Sequence, residues 1–193
     1  MANIPKILAF AGSTRKESYN KKLVKIAVQG ARKTGAEVTF LDLRDLPLPL
    51  YDGDLEEKEG LPRNARQLKD LMLAHHGFLI SSPEYNSGIS GVFKNAIDWA
   101  SRPAPNEPSL ACFQNKLASL MSASPGTLGG LRGLVHVRLI LSNIGVTVLP
   151  TQMAVPKAHE AFLPDGSLKD PKQQAGIEKL GMELAEKLRK LNF

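Results

Sequence analysis

The chain has 193 residues, 42% of them apolar and 23% charged, with a formal net charge of +6. A chain of that length buries roughly 70% of its unfolded surface, so it needs neither disulfides nor a metal to fold, and its composition excludes a disordered or low-complexity protein. No apolar stretch reaches the roughly 20 residues of a membrane span, and the single cysteine, Cys112, excludes an internal disulfide or a CxxC pair and suits a reducing cytoplasm.

The opening MANIPKILAFAGSTR lacks a basic n-region, so it is read as leading into a first strand, KILAFAG (6–12), rather than as a signal peptide. That run has no polar alternation, which suits a strand covered on both faces. Then KKLVKIAVQGARKTG has helical period, with Leu23, Ile26, Ala27 and Ala31 on one face and Gly35 as a stop. EVTFLDL (37–43) reads as strand two and the proline- and glycine-rich 44–62 as a long loop. NARQLKDLMLAHH is a second helix, GFLISSP strand three and VFKNAIDWAS a third helix. After the irregular SRPAPNEPS come strand four (116–124), a fourth helix from Leu131, strand five (146–150), an irregular stretch and a final amphipathic helix with Ile177, Leu180, Leu184 and Leu188 inward. Five β-α repeats imply one α/β domain over residues 1–193, with helices on both faces of a five-stranded parallel sheet. The expected order is the flavodoxin-like 2-1-3-4-5, whose ligands bind beyond the carboxyl ends of strands one and three.

The loops at those ends carry the unusual residues. Residues 11–20, AGSTRKESYN, supply hydroxyls at Ser13, Thr14 and Ser18, an amide at Asn20, a guanidinium at Arg15 and the N-terminal N–H groups of a helix. Strand, loop and helix follow in the order a phosphate site requires. Neither GxxxxGK[ST] nor GxGxxG is present, which argues against a Walker or Rossmann site. The basic residues are scattered in singles and pairs at helical spacing, the pattern of a solvated face, so the positive charge points to small anions rather than nucleic acid. In the third loop, Pro83-Glu84-Tyr85-Asn86-Ser87-Gly88, the glycine lets backbone approach a flat ligand while Tyr85 can lie against its ring. Read blandly, Asn86 is a turn residue, Glu84 is solvated and Ser18 only caps a helix.

GSTRKESYN, SPEYNSGISGVFKNAIDWASR and SASPGTLGGLR, in this order and spacing, resemble the NADPH-dependent FMN reductase family, flavodoxin-like enzymes that include quinone, azo-dye and chromate reductases. The resemblance runs from strand one to about Pro150. It implies one FMN per subunit, with its phosphate on Ser13, Arg15, Ser18 and Asn20, and its ribityl chain and ring edge at Pro83, Glu84, Tyr85, Asn86 and Ser87. Ser122, Ala123, Ser124 and Gly126 would border the ring from the other side. It further implies ping-pong hydride transfer from NADPH or NADH through FMN to a small acceptor such as a quinone, with no acid–base residue, in a homodimer or homotetramer. The basic charge favours NADPH. Two departures stand out: Ser90, where relatives often have proline, implies a looser loop, and Glu17 puts a carboxylate in the phosphate loop, expected to face solvent.

Competing readings are a flavin reductase that releases reduced FMN, a flavodoxin-type electron carrier, and a sensor or scaffold; carriers tend to be acidic, and this chain is basic. His75-His76 reads as a cationic helix end rather than a metal site, and Cys112 as a small buried residue. Trp99 reads as core or as a subunit contact near the flavin.

Overall fold

The computed structural model describes residues 4–191. β1 (Lys6–Ala11), α1 (Tyr19–Lys33) and β2 (Glu37–Leu41) lead into a short 3-10 turn at Leu43–Asp45. Next come α2 (Gly53–Glu59), α3 (Arg63–Leu73), β3 (Gly77–Ser81), β4 (Glu84–Tyr85), β5 (Gly88–Ile89) and α4 (Gly91–Ala100). β6 (Leu117–Ala123), α5 (Leu131–Asn143), β7 (Thr147–Val155), α6 (Ala158–Ala161) and α7 (Pro171–Lys190) complete the order. The main sheet runs β2-β1-β3-β6-β7, all parallel, the expected flavodoxin-like order; β4 and β5 form a separate two-stranded hairpin.

The continuous apolar strands are explained by two cores, one on each face of the sheet. Ile7 and Ala9 of β1 and Leu79 of β3 pack with α1 and α7, while Leu8, Phe10, Phe78 and Ile80 pack with α3, α4 and α5. Helices α1 and α7 meet closely at glycines: a Cβ on Gly30 would fall 1.9 Å from the Glu178 carbonyl oxygen, and one on Gly181 1.9 Å from that of Ala27.

Several expectations need correction. The long loop 44–62 contains α2, started by Asp52, whose side chain accepts from the Asp54 N–H, and stopped by Gly60 at φ 74°. The chemistry of a cap and a stop was present, but no apolar stripe marked the helix, and none of its residues is buried. Strand five does not end at 150 but runs to Val155. Pro150 lies in an irregularity where the register against β6 jumps from Val148 to Gln152, and a bulge on an edge strand tolerates the missing N–H. Arg138 of α5 donates to the carbonyls of Val148 (3.1 Å), Leu149 (2.8 Å) and Pro150 (3.4 Å), satisfying the acceptors the bulge strands.

The second helix ends at Leu73, before the histidines, and His75 is no cation. It is buried, its Nδ1 donates to the Leu71 carbonyl (2.6 Å) and its Nε2 accepts from the Thr39 hydroxyl (2.8 Å), the tautomer that leaves the ring neutral. Burial pushes its pKa down, and Lys116 adds to the effect. Trp99 is core: it has no exposed surface, and its Nε1 donates to the Pro49 carbonyl at 2.8 Å. Cys112 is fully buried, and burial pushes its thiol up to about 11, far from the thiolate a reactive cysteine needs.

Candidate functional site: a crevice at the ends of β1, β3 and β6

Past the end of β1, the Gly12 N–H still bonds the Ser81 carbonyl of β3 (2.9 Å), so the first loop leaves the sheet in register with its neighbour. The loop folds on Ser13, whose hydroxyl accepts from the Arg15 N–H (3.3 Å) and keeps its own proton to donate. Ser18 takes the N-cap position of α1 in extended conformation, yet its hydroxyl makes no capping bond. That hydroxyl, buried at the helix start, remains available to a ligand. The first turn of α1 carries no acidic residue, so the positive end of its dipole is not offset there. Arg15 is exposed, and among the described residues no carboxylate pairs with it. Glu17 is exposed and does not line the crevice.

Asn20 plays a different part. Its Nδ2 donates to the Ala123 carbonyl (2.9 Å), and its Oδ1 accepts from the Ser81 hydroxyl (2.8 Å) and the Ala123 N–H (3.0 Å). One amide thus ties α1 to β3 and β6 and leaves a single N–H for a ligand.

The third loop is a tight hairpin. Glu84 pairs with Ile89 and Tyr85 with Gly88, joined by Asn86 (φ 50°) and Ser87 (φ 66°), the two positive φ angles of a type I′ turn. Glu84 is not solvated: its Oε2 accepts from the Gly133 N–H (2.9 Å) and its Oε1 meets Arg132 (3.4 Å), so it docks the hairpin on the N-terminus of α5. Ser90 tightens the loop rather than loosening it. Its hydroxyl donates to the Gly12 carbonyl (2.6 Å) and accepts from the Phe93 N–H (3.2 Å), joining the third loop to the first while capping α4.

A crevice of about 180 Å³ brings together Ser13, Arg15, Ser18, Asn20, Pro83, Glu84, Tyr85, Ala123 and Ser124. Tyr19 and Pro125 also line it and were not anticipated; Tyr19, at the helix start, stacks on Phe162 at 5.9 Å between ring centres. Asn86 and Ser87 form the hairpin tip, and Gly126 lies just outside, donating to the Ser124 hydroxyl (3.3 Å). Ser122 is fully buried behind the crevice, its hydroxyl unpartnered and so close to Gly130 that a Cβ there would fall 2.0 Å from it. The donor set suits a dianionic phosphate: two buried hydroxyls, one amide hydrogen, a free guanidinium and a helix N-terminus. Tyr85, 53% exposed beside it, offers a face to an aromatic ring.

Residues 5–160 match the family described as NADPH-dependent FMN reductase. The chain belongs to that family. A probable NADPH:quinone oxidoreductase 2 of Oryza sativa subsp. japonica is 33% identical over 184 residues, spanning 93% of this chain and 86% of the relative. An NAD(P)H-dependent FMN reductase of Pseudomonas aeruginosa is 34% identical over 179 residues, spanning 92% of each. Among solved structures, the flavoenzyme NAD(P)H:(acceptor) oxidoreductase FerB of Paracoccus denitrificans superposes with a TM-score of 0.78 at 29% identity, covering 95% of this chain and 98% of its own. As a member of the FMN reductase family the chain is an oxidoreductase with FMN as cofactor and NAD(P)H as co-substrate.

Proposed function

We propose that this protein is an FMN-bound, NAD(P)H-dependent oxidoreductase acting on quinones or similar small acceptors, with chromate, azo compounds and free flavin as further candidates. The observation that carries this reading is the crevice itself, which residues from three separate loops line and which joins a set of phosphate donors to the exposed Tyr85. Bound there, FMN supplies the hydride acceptance and release. The chain's own part is to grip and orient. Ser13, Ser18 and Arg15 would hold the phosphate, Asn20 and Ser90 keep the three loops in register, and Glu84 fixes the hairpin that carries Tyr85. Hydride transfer itself calls for no side-chain acid or base, and the proton that completes a hydroquinone would come from solvent.

Helix α5 exposes Leu131, Val135 and Leu139 at i, i+4 and i+8, with Leu128 before them, and it packs against the hairpin beside the crevice. Its exposed face carries no acidic residue. An unpaired apolar stripe of this kind suits a homodimer or homotetramer that brings a second copy close to the flavin. One sheet with a core on each face supports a single functional domain. The lone buried cysteine fits a cytoplasmic location, and among the described residues no helix is long and apolar enough to cross a membrane.

The test is anaerobic titration of the FMN-loaded protein with NADPH and with NADH, followed by visible flavin absorbance and then by addition of a quinone. Bleaching by nicotinamide and recovery with quinone are expected. Colour that neither nucleotide bleaches would defeat the reading. Colour lost on gel filtration would instead indicate an enzyme that releases its flavin.

A further inference from the structure

A second cleft, of about 330 Å³, lies across the first loop from the FMN crevice. Thr14 lines this cleft, whereas its neighbours Ser13 and Arg15 line the crevice, so one residue separates the two. One wall is the segment Leu46–Pro47–Leu48 and the other is Val92 and Ala96 of α4. Leu43 lies between them, and Arg44 is exposed at the rim.

The cleft is built rather than incidental. Asn64 Nδ2 donates to the Pro47 carbonyl (2.8 Å), Asn95 Nδ2 and Trp99 Nε1 both donate to the Pro49 carbonyl (2.8 Å each), and the Tyr51 N–H donates to Asn95 Oδ1 (2.8 Å). Three of these bonds fasten the chain to α4 at Pro49 and Tyr51, and the fourth fastens Pro47 to α3, so the outer wall is pinned on both sides of the cleft. Its volume falls in the range of about 300–1,000 Å³ typical of small-molecule sites. The cation at its rim is also unclaimed. Asp42 is paired with Lys21 (2.7 Å) and receives only the backbone N–H of Arg44 (3.0 Å), while Asp45 does not line the cleft. Among the described residues no carboxylate pairs with the Arg44 guanidinium.

We infer that this cleft receives the adenosine 2′-phosphate end of NADPH, with Arg44 as the residue that distinguishes NADPH from NADH. The inference rests on the proposed nicotinamide-dependent reaction and names its specificity element. A purine is flat and apolar on both faces, as the opposed leucine and valine walls require. A guanidinium pairs two phosphate oxygens at once and stacks on an aromatic ring. The cleft adjoins the crevice through Thr14 of the first loop, so in this arrangement one extended dinucleotide would run over that loop, with its nicotinamide end beside Tyr85 and its far end here. NADH, lacking the 2′-phosphate, leaves Arg44 without a partner and loses only that contact.

Arg44→Ala and Val92→Trp test it in the FMN-loaded protein. Arg44→Ala should lower kcat/KM for NADPH about tenfold or more and leave NADH within about twofold, the loss expected for one charge-assisted contact. Calorimetric titration with 2′,5′-ADP, which needs no flavin reduction, should show a Kd raised by about the same factor, with 5′-ADP unchanged. Val92→Trp, which fills the cleft, should weaken both nucleotides while FMN affinity and the circular dichroism spectrum are retained. Binding of 2′,5′-ADP that both substitutions leave unchanged overturns the assignment. Failure of NADPH to bleach the parent protein would strike the proposed reaction, while the calorimetry decides the cleft independently.

Discussion

Arg15 of the first loop and Asn20 in the first turn of α1 sit five residues apart, yet they answer to different physics. Arg15 is exposed and, among the described residues, paired with no carboxylate, and the proposed site gives it the FMN phosphate. Arg15→Ala should raise the FMN Kd about thirtyfold, roughly 2 kcal/mol, with little change in melting temperature, read by fluorescence titration of the apoprotein. Asn20 is buried and bonded on both sides of its amide, so its first role is to position Ala123 and Ser81. Its polar type and its place in the loop were visible in the sequence, but its partner lies 103 residues away, beyond any local pattern. His75 shows the same limit. Its place after a helix suggested a cation, whereas burial, with Lys116 and Lys6 nearby, disfavours the charged form. Because its folded pKa lies below the ordinary 6.5, the unfolded chain binds the proton more readily. Stability should therefore be flat above about pH 7.5 and fall as pH drops through about 6.5 and below. His75→Asn, though less stable at neutral pH, should show a shallower fall in calorimetric melting curves between pH 7.5 and 5.

At the scale of elements, the strands were the most legible because burial on both faces leaves an unbroken apolar run, as in KILAFA of β1 and GFLIS of β3. Elements held by polar or irregular contacts were not. Helix α2 has no buried residue and is held by Tyr51 and Arg102, which reach Glu56 at 2.9 and 3.0 Å, so no periodicity announced it. The outer half of β7 follows a proline that usually ends a strand, and it persists because Arg138 takes up the bulge carbonyls. The crossing of α1 and α7 depends on absent side chains. Gly181→Ala gains about 1 kcal/mol in helix propensity, but its methyl group meets the Ala27 carbonyl at 1.9 Å, and the helices must separate. A net destabilisation of about 1–3 kcal/mol should appear in urea denaturation, as overpacking of a close contact predicts.

For the whole molecule, the exposed stripe on α5 makes assembly the natural expectation. Leu139, 68% exposed, lies outside both cores, so Leu139→Lys should leave the fold intact and shift sedimentation velocity towards a monomer. An unchanged oligomer would place the interface elsewhere. The strand order was an expectation that the folded sheet settled. By themselves, the residues of this chain determined the layered parallel sheet and which loops are rich in hydroxyls, amides and turn-formers. These follow from apolar runs, helical period and turn-formers, which act over a few neighbouring residues. Long-range contact settled what those loops do with their side chains. Ser90 became a tie to Gly12 and Glu84 an anchor for α5, and a cleft opened beside Arg44. A hydrogen bond is set by which groups meet once the chain has closed on itself, and spacing along the sequence does not encode that meeting.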